Sequence, residues 1–299
     1  MRDESAPIVI PHNAMFPFEA PRTRFVDWFD AMHVEVRAGP DTKRVLRGIL
    51  EMKEASYTPD WDMMMERADQ AEEDGDTGVL HLGAEIPSFL FAIRGVSRVM
   101  THHIVRQRIG VTYQQKCTGD GDIRHDDVLV PRAFNKPGNE TMLEWYVNFN
   151  LDFKVRYARE IDERQISLHV LRYAMPHGLS QYIYMGANLQ ALKDIFGKRA
   201  CHEQPIEWWL LTDKIKQAMV DAGYEVFAKS LRSNCSSKSC HWHRRGNNDP
   251  LFGRLYFPDE EHDVEPWNPE SFLYKGTAAE VNGGPPFPGR EYLGYERVK

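Results

Sequence analysis

The sequence has few cysteines, no long apolar stretch and no excess of positive charge. Four cysteines among 299 residues are too few for a disulfide scaffold, and the N-terminal residues lack the pattern of a secretory signal. Both features predict a cytoplasmic protein. Since no apolar run approaches the roughly 18 residues that span a bilayer, no membrane partner is expected. The net charge of −7 offers no global positive field to nucleic acid, so any nucleotide contact must be local.

Hydrophobic patterning divides the chain into three predicted parts. Residues 1–54 combine prolines with aromatic residues and one short amphipathic stretch, which predicts a wrapping arm without a core of its own. Residues 55–223 have clear periodicity and form the predicted catalytic domain. Residues 224–299 are rich in loop-forming residues and are predicted to be an extension, draped on the domain or on a neighbouring subunit.

Periodicity within the middle part predicts mainly helices. Alternation of Phe89, Phe91 and Ile93 with smaller or polar residues predicts a strand, which Gly95 is expected to end. Asp60 is a candidate N-cap for the first helix. The predicted helices cover 60–73, 96–106, 140–174 and 208–223. Because strands and helices alternate too little for a doubly wound sheet, the predicted class is α+β, with helices dominating.

The densest group of functional side chains follows the predicted strand, in His102–Gly110 and the polar segment Val111–Asp122. Arg106 and Arg108 stand two residues apart at a helix end, where their guanidinium groups can bind a phosphate and an electron-rich ring together. This arrangement would suit a nucleotide. The alternative is a solvated basic helix end that interacts favourably with the helix dipole.

This segment resembles the signature of the flavin-dependent thymidylate synthases, the ThyX family, which reads Arg-His-Arg, seven residues, Ser and then an Arg-Tyr pair. Ser56–Asp60 resembles the first strand and turn of that family, and 85–108 resembles the strand and helix before its motif. Further blocks follow in the family's order and spacing, at Leu171–Pro176, Asn188–Leu192 and Phe196–Arg199.

The resemblance implies a fold with long central helices and a small, mostly antiparallel sheet, in a homotetramer whose subunits share each active site. It also implies FAD as cofactor, NADPH and methylenetetrahydrofolate as cosubstrates, and methylation of dUMP to dTMP at C5. One alternative is a related hydroxymethylase or methylase acting on dUMP, dCMP or UMP. Another is a noncatalytic protein of the same scaffold that binds nucleotides or nucleic acid.

Arginines are the strongest candidates in the implied site. Arg106 would contact flavin and substrate, and Arg199 would place positive charge at the uracil, so both are assigned catalytic roles. Arg172 is an implied substrate ligand. The remaining substrate-side candidates are His103, Gln114, Gln115, Lys116, Cys117 and Arg124. The flavin-side candidates are Arg106, Gln107, Arg108, Ile109, Asn188, Gln190 and Asp194.

The signature is altered at several positions. Gln107 replaces its central histidine and cannot titrate near neutrality. At strict spacing, Lys116 replaces the serine and Thr118-Gly119 the Arg-Tyr pair. If one residue is inserted, Cys117 and Gly119-Asp120 take those places. Both alignments lack the usual phosphate-binding arginine.

Residues after the motif could compensate for these changes. Arg124, on a longer loop, is a candidate replacement for the missing phosphate ligand, and Gln114 and Gln115 offer amide contacts to the base or flavin under both alignments. Cys117 could act as a thiolate nucleophile toward pyrimidine C6, although a binding or packing role is favoured.

A second group of polar residues lies near the C-terminus. Cys235, Cys240, His241 and His243 supply sulfur and nitrogen atoms that zinc accepts. Their spacing is tighter than that of a standard zinc finger, and the adjacent Cys240 and His241 cannot easily face one site. Reduced cysteines in a basic tail are therefore the favoured interpretation, and no metal is predicted.

Overall fold

The computed structural model describes residues 23–58, 60–118, 121–131, 134, 139–163, 166–200 and 206–233. The strands are β1 (Phe25–Asp27), β2 (His33–Ala38), β3 (Ser88–Ser97), β4 (Val111–Gln115), β5 (Val128–Val130) and β6 (Ser180–Asn188). The helices are α1 (Trp28–Ala31), α2 (Thr42–Ala55), α3 (Trp61–Glu73), α4 (Arg98–Ile104), α5 (Glu140–Glu163), α6 (Leu168–Leu171), α7 (Leu189–Arg199), α8 (Ile206–Asp221) and α9 (Glu225–Ala228). Short 3₁₀ turns cover Gly78–His81 and Arg172–Ala174.

A four-stranded sheet organises the fold. Its strand order is β2-β3-β6-β4, and every neighbouring pair is antiparallel, while β1 and β5 form a separate short parallel pair. Helices α2, α7 and α8 cover one face of this small sheet. The predicted α+β class, with a small and mostly antiparallel sheet, is confirmed.

One face of the sheet carries the main core. Phe91, Ile93 and Met185 are almost completely buried and pack in one cluster with Leu192 of α7 and Leu211 of α8. This cluster follows directly from the alternation of β3, in which every second side chain turns inward. The opposite face of the sheet remains open in the single chain.

A second, smaller core lies along α5. Phe153 and Tyr157 of α5 pack with Ile123, Val128 and Leu179. The loop after β4, the pair β1–β5 and the start of β6 are thereby held against the long helix. Within the described ranges, no helix is both long and apolar enough to cross a bilayer.

The predicted boundaries near residues 54 and 224 do not coincide with structural breaks. Residue 54 lies inside α2, whose Ile49 and Leu50 are buried in the main core, and β2 forms an edge of the main sheet. Beyond residue 224, Phe227 and Leu231 are buried in the same core. The described part of the predicted arm is therefore packed into the domain, because its amphipathic stretch supplies core side chains.

The helix predictions hold in part. Helix α3 is confirmed, and the carboxylate of Asp60 accepts a hydrogen bond from the Met63 N–H at 3.0 Å. The region around residue 56, expected to be a strand and turn, instead ends α2, with Ser56 as its C-cap. The single helix predicted over 140–174 is also wrong, since α5 ends at Glu163 and α6 follows separately.

Strand β3 does not end at Gly95. It continues to Ser97 through a register shift between Arg94 and Val96, and Gly95 adopts a φ of +72° there. The irregularity also brings Gly95 against α1, where an added Cβ would stand 1.8 Å from the carbonyl oxygen of Ala31.

Gly95→Ala is expected to lower the free energy of unfolding by at least about 2 kcal/mol, because both the φ angle and the Ala31 carbonyl oppose a side chain. Gly48→Ala is the control, since Gly48 lies in helix α2 with open space around it. That substitution should raise stability by about 0.5–1 kcal/mol. Urea denaturation measures both changes, and equal stabilities of the two variants would contradict the close contact at Gly95.

Candidate functional site

Helix α4 directly follows β3 and is fixed at both ends. At its start, the Ser97 hydroxyl oxygen accepts from the Met100 N–H at 3.1 Å and caps the helix. Near its end, the Tyr113 hydroxyl of β4 donates to the Ile104 carbonyl oxygen at 2.8 Å. Met100 and Ile104 are buried in the main core. The helix is therefore anchored along one side.

A buried carboxylate attaches α4 to α8. Glu207 accepts hydrogen bonds from the Ser97 N–H at 2.6 Å and from the Ser97 hydroxyl at 2.7 Å. Burial raises the pKa of Glu207 to about 6, and the bonds from Ser97 oppose that rise. This carboxylate is consequently occupied by the start of α4 and does not face the functional side of the helix.

The other side of α4 collects positive and titratable groups. Arg98, His102 and Arg106 follow one another at four-residue intervals, so they share a face of the helical segment. Residues from other elements join this face. We define the α4 cluster as Arg98, His102, His103, Arg106, Arg172, His177 and Arg199.

Contacts across the fold hold the α4 cluster together. The Arg98 N–H donates to the His177 carbonyl oxygen at 3.0 Å, and the rings of His102 and His177 meet edge to face at 5.9 Å between centroids. Arg199, at the end of α7, lies with its guanidinium 5.0 Å from the centre of the Trp208 ring.

Electrostatic effects within the α4 cluster are mutual. Burial lowers the pKa of His103, and the nearby charges of Arg199 and Arg106 lower it further. The pKa of Arg199 is likewise lowered by burial and then by Arg106. His102 behaves similarly, because burial comes first and Arg98 second among the causes that lower its pKa. Both histidines therefore favour the neutral form.

Four arginines of this region make no ion pair with a described carboxylate. Across the ranges that the structure describes, no ion pair is made by the guanidinium groups of Arg98, Arg106, Arg108 or Arg172. Elsewhere the common arrangement is a pair, as in Arg24–Asp127 at 2.7 Å. Unpaired guanidinium groups held close together favour the binding of an anion.

The turn after Arg108 packs beside Asn188. Gly110 has a φ of +70°, and its carbonyl oxygen accepts from the Asn188 N–H at 3.0 Å. The Asn188 side chain caps α7 by accepting from the Ala191 N–H at 2.8 Å. Arg108 and Ile109 are exposed in the same turn, Ile109 by 83%. Three of the predicted flavin-side residues are thus brought together.

Other flavin-side candidates lie nearby in sequence. Gln107 is half-buried directly after α4, and its N–H donates to the Ile104 carbonyl oxygen at 3.2 Å. Gln190 and Asp194 occupy adjacent turns of α7, where the Gln190 side-chain amide donates to the Asp194 carboxylate at 3.1 Å. The amide and the carboxylate orient each other and form one polar edge.

The two glutamines of β4 point in opposite directions. Gln115 turns toward α4, where its side-chain amide donates to the Thr101 hydroxyl oxygen at 3.1 Å. Gln114 is exposed on the open face of the sheet, in register with Tyr184 of β6. Because successive strand residues face opposite sides, one chain cannot direct both amides toward the same ligand.

The loop after β4 neutralises its own cations. The Lys116 ammonium contacts both carboxylate oxygens of Asp126 at 2.5 Å, and both side chains are only 17% exposed. Arg124 pairs with Asp122 at 2.7 Å and with Asp162 at 2.8 Å. Because Arg124 is paired with two carboxylates, its predicted role as a displaced phosphate ligand is disfavoured. The Lys116 charge likewise has a carboxylate partner.

A buried lysine anchors that loop to α5. The Lys154 ammonium donates to the Arg124 carbonyl oxygen at 3.1 Å and also to the Asp126 carbonyl oxygen. Burial lowers the pKa of Lys154 to about 8, while Asp126 and Asp127 raise it. Lys154 therefore fixes the path of the loop, which supports a structural role for the ion pairs along it.

Cys117 lies at the edge of the α4 cluster. Its side chain is exposed, and its charged form interacts with Arg98, whose pKa burial lowers and Cys117 raises. Of the two alignments of the altered signature, the one with Cys117 in the serine position thus directs a side chain toward the cluster. Residues 119–120, at the expected Arg-Tyr position, and the group Cys235, Cys240, His241 and His243 lie outside the described residues.

Three members of the α4 cluster, Arg98, His102 and His177, were not among the site residues predicted from the sequence. Arg98 could have been found, because it precedes His102 by four residues and Arg106 by eight, which places all of them on one helical face. No local signal marks His177. It reaches the cluster only because the chain after Arg172 is hydrogen-bonded to the start of α4.

Acidification is expected to destabilise the fold through the histidines of the α4 cluster. The folded-state pKa of His103 lies below its ordinary value of 6.5, so the stability it contributes is complete above that value and is lost as the pH falls through the folded pKa. His103→Gln should therefore reduce the loss of unfolding free energy between about pH 7.5 and about pH 5.

Urea denaturation at the two pH values measures this effect. The control is His33→Gln, at an exposed position on β2, which should leave the loss as large as in the unmodified protein. An equally large loss in His103→Gln would show that protonation of this histidine is not opposed by its surroundings.

Comparison with known proteins agrees with this site. A sequence model of the thymidylate synthase complementing protein family matches residues 81–222, which contain α4, β4, β6 and α7. The flavin-dependent thymidylate synthase of Pyrococcus horikoshii is 30% identical over 142 residues, covering 44% of this chain and 57% of that protein. The corresponding enzyme of Sulfolobus acidocaldarius is 25% identical over 134 residues, covering 43% of this chain and 50% of that protein. The chain thus spans little more than half the length of these curated relatives.

A solved structure shares the fold. The UMP/dUMP methylase PolB from Streptomyces cacaoi, bound with 5-Br UMP, aligns with a TM-score of 0.53 and 15% identity, over 71% of this chain and 99% of that one. The family match, the curated relatives and the fold agree with one another. Residues 81–222 are thus similar to the thymidylate synthase complementing protein family, and the curated relatives matched over this region are flavin-dependent thymidylate synthases.

Proposed function

We propose that the protein is a flavin-dependent methyltransferase that converts dUMP to dTMP. The observation that carries this proposal is the α4 cluster, in which Arg106, Arg172 and Arg199 come together from three separate parts of the chain. These are the arginines to which the family resemblance gives substrate roles. The curated relatives, which are flavin-dependent thymidylate synthases, support the same reaction.

The donor set around Gly110 fits FAD. Arg106 and Arg108 have no ion pair with any described carboxylate and can bind phosphate, and the Gln107 amide can hydrogen-bond to a ring edge. Ile109 offers an exposed apolar surface to a ring face. When bound, FAD would carry hydride from NADPH, while methylenetetrahydrofolate would supply the carbon unit.

Arg199 is suited to act on the uracil ring. C5 of the base becomes nucleophilic when the ring takes on enolate character, with negative charge on a ring carbonyl oxygen, and a fixed guanidinium group nearby stabilises that charge. Arg199 is held over the Trp208 ring and is partly buried, so little solvent screens its charge. It is therefore preorganised for this role before substrate binds.

His103 is suited to recognise the base. Its lowered pKa favours a neutral ring, which donates one hydrogen bond and accepts another. The edge of uracil likewise offers both an N–H donor and carbonyl acceptors. A neutral His103 beside Arg199 would therefore bind the base without adding a further positive charge.

A second subunit would complete the site. The open face of the sheet exposes Leu90, Tyr182 and Tyr184 by 37%, 49% and 39%, and such a patch is typical of surfaces buried by a partner. Gln114 lies on that same face, away from the α4 cluster of its own chain. These features support the homotetramer with shared active sites that the resemblance implies.

A related reaction is the second candidate. Gln107 in place of the signature histidine, together with the missing Arg-Tyr pair, favours a changed substrate or product. In that case the protein would methylate UMP, or would hydroxymethylate dUMP or dCMP. The same cationic site would serve all these nucleotides, because they share the phosphate and the pyrimidine ring.

Product analysis tests the proposal. The purified protein should contain or take up FAD and, with NADPH and methylenetetrahydrofolate, should convert dUMP to dTMP, identified by mass. Arg106→Ala and Arg199→Ala should each lower kcat/KM by about a hundredfold or more, because each removes a charge-stabilising contact. Arg156→Ala is the control, since Arg156 is exposed on α5 and pairs with Asp152.

The other outcomes separate the alternatives. A hydroxymethylated product, or turnover of UMP or dCMP in preference to dUMP, would establish the second candidate. A protein that binds nucleotide but neither takes up FAD nor turns over would be a noncatalytic member of the family and would contradict the proposal.

A further inference from the structure

Arg98 belongs to the α4 cluster, but no part of the ligand has yet been assigned to it. It is the first residue of α4, it is half-buried, and its N–H donates to the His177 carbonyl oxygen at 3.0 Å. That hydrogen bond holds the segment after Arg172 against the start of α4. Gln115 is held to Thr101 by a hydrogen bond of 3.1 Å, so the end of β4 reaches the same place.

The side chains of Arg98 and Arg172 lie close enough for their charges to interact. Arg172 is exposed, and its guanidinium lies 5.8 Å from the centre of the Tyr173 ring. The charge of Arg172 opposes that of Arg98, and in the described part of the chain neither group has an ion pair with a carboxylate. A backbone hydrogen bond holds the segments that carry the two like charges together. A bound dianion would offset the repulsion between these charges.

The altered signature leaves the nucleotide phosphate without its usual binding residue. Neither alignment of the altered signature supplies the usual phosphate-binding arginine. The nearby loop does not replace it, because Lys116 pairs with Asp126 and Arg124 pairs with Asp122 and Asp162. Arg98 lies close enough to Cys117, at the edge of this loop, for the two groups to interact, and its guanidinium donates no hydrogen bond to any described residue.

We propose that Arg98, together with Arg172, binds the 5′-phosphate of the pyrimidine mononucleotide and thereby replaces the missing arginine. This inference rests on the proposed function. Two guanidinium groups can each form paired hydrogen bonds to a phosphate dianion, which fixes its orientation as well as its charge. The side chain that binds the phosphate would thus come from the start of α4 and not from the loop after the motif.

Calorimetric titration of the FAD-loaded, full-length protein with dUMP and with deoxyuridine isolates the contribution of the phosphate. Arg98→Ala should weaken dUMP binding on the order of tenfold to a hundredfold and leave deoxyuridine binding unchanged. Arg98→Lys keeps the charge without the paired donors and should fall between the two. Arg156→Ala, which removes a paired and exposed arginine of α5, should match the unmodified protein.

The possible results distinguish a failure of this inference from a failure of the proposed function. If the unmodified protein prefers dUMP over deoxyuridine and Arg98→Ala keeps that preference, this inference is wrong and the proposed function stands. Equal losses for dUMP and deoxyuridine, or a loss of FAD affinity alone, would also overturn it. If Arg98→Ala does not fold, Arg98→Lys decides, because unchanged dUMP affinity there contradicts paired contacts to phosphate. If the unmodified protein binds neither ligand, the proposed function itself fails.

Discussion

Positive charge gathered around α4 is the feature on which the candidate site depends. Like charges on Arg98, Arg106, Arg172 and Arg199 repel one another, and the fold must offset that repulsion before a ligand arrives. It does so from the other side of α4, where Met100 and Ile104 are buried. Because apolar burial anchors the helix, its outer side chains can be kept ready for an anion.

Much of this arrangement could be predicted from the sequence, where the signal is local. The cap at Asp60, the alternation in β3 and the arginines of the altered signature each depend on residues only a few positions apart. The ordered blocks carry the same kind of information, because each of them is one continuous stretch of the chain. The α+β class and the helical approach to the site followed from these short-range patterns.

The rest depends on pairings between distant residues. Strand β2 joins the main sheet through β3, although its sequence resembled part of an arm. The ion pairs of Lys116 with Asp126 and of Arg124 with Asp122 and Asp162 lie in a loop that Lys154 of α5 holds by hydrogen bonds to its backbone. No pattern within a short window indicates which cations are neutralised, and this distinction separates the loop from the α4 cluster.

The altered signature therefore need not mean a lost site, since the fold gathers equivalent charge from other positions. A crystal structure of the protein with FAD and dUMP is the most direct test of where the two ligands bind. We expect the uracil ring beside His103 and Arg199 and the flavin near Arg108 and Asn188. A nucleotide bound away from the α4 cluster, with Arg106 and Arg199 contacting neither ligand, would contradict this expectation.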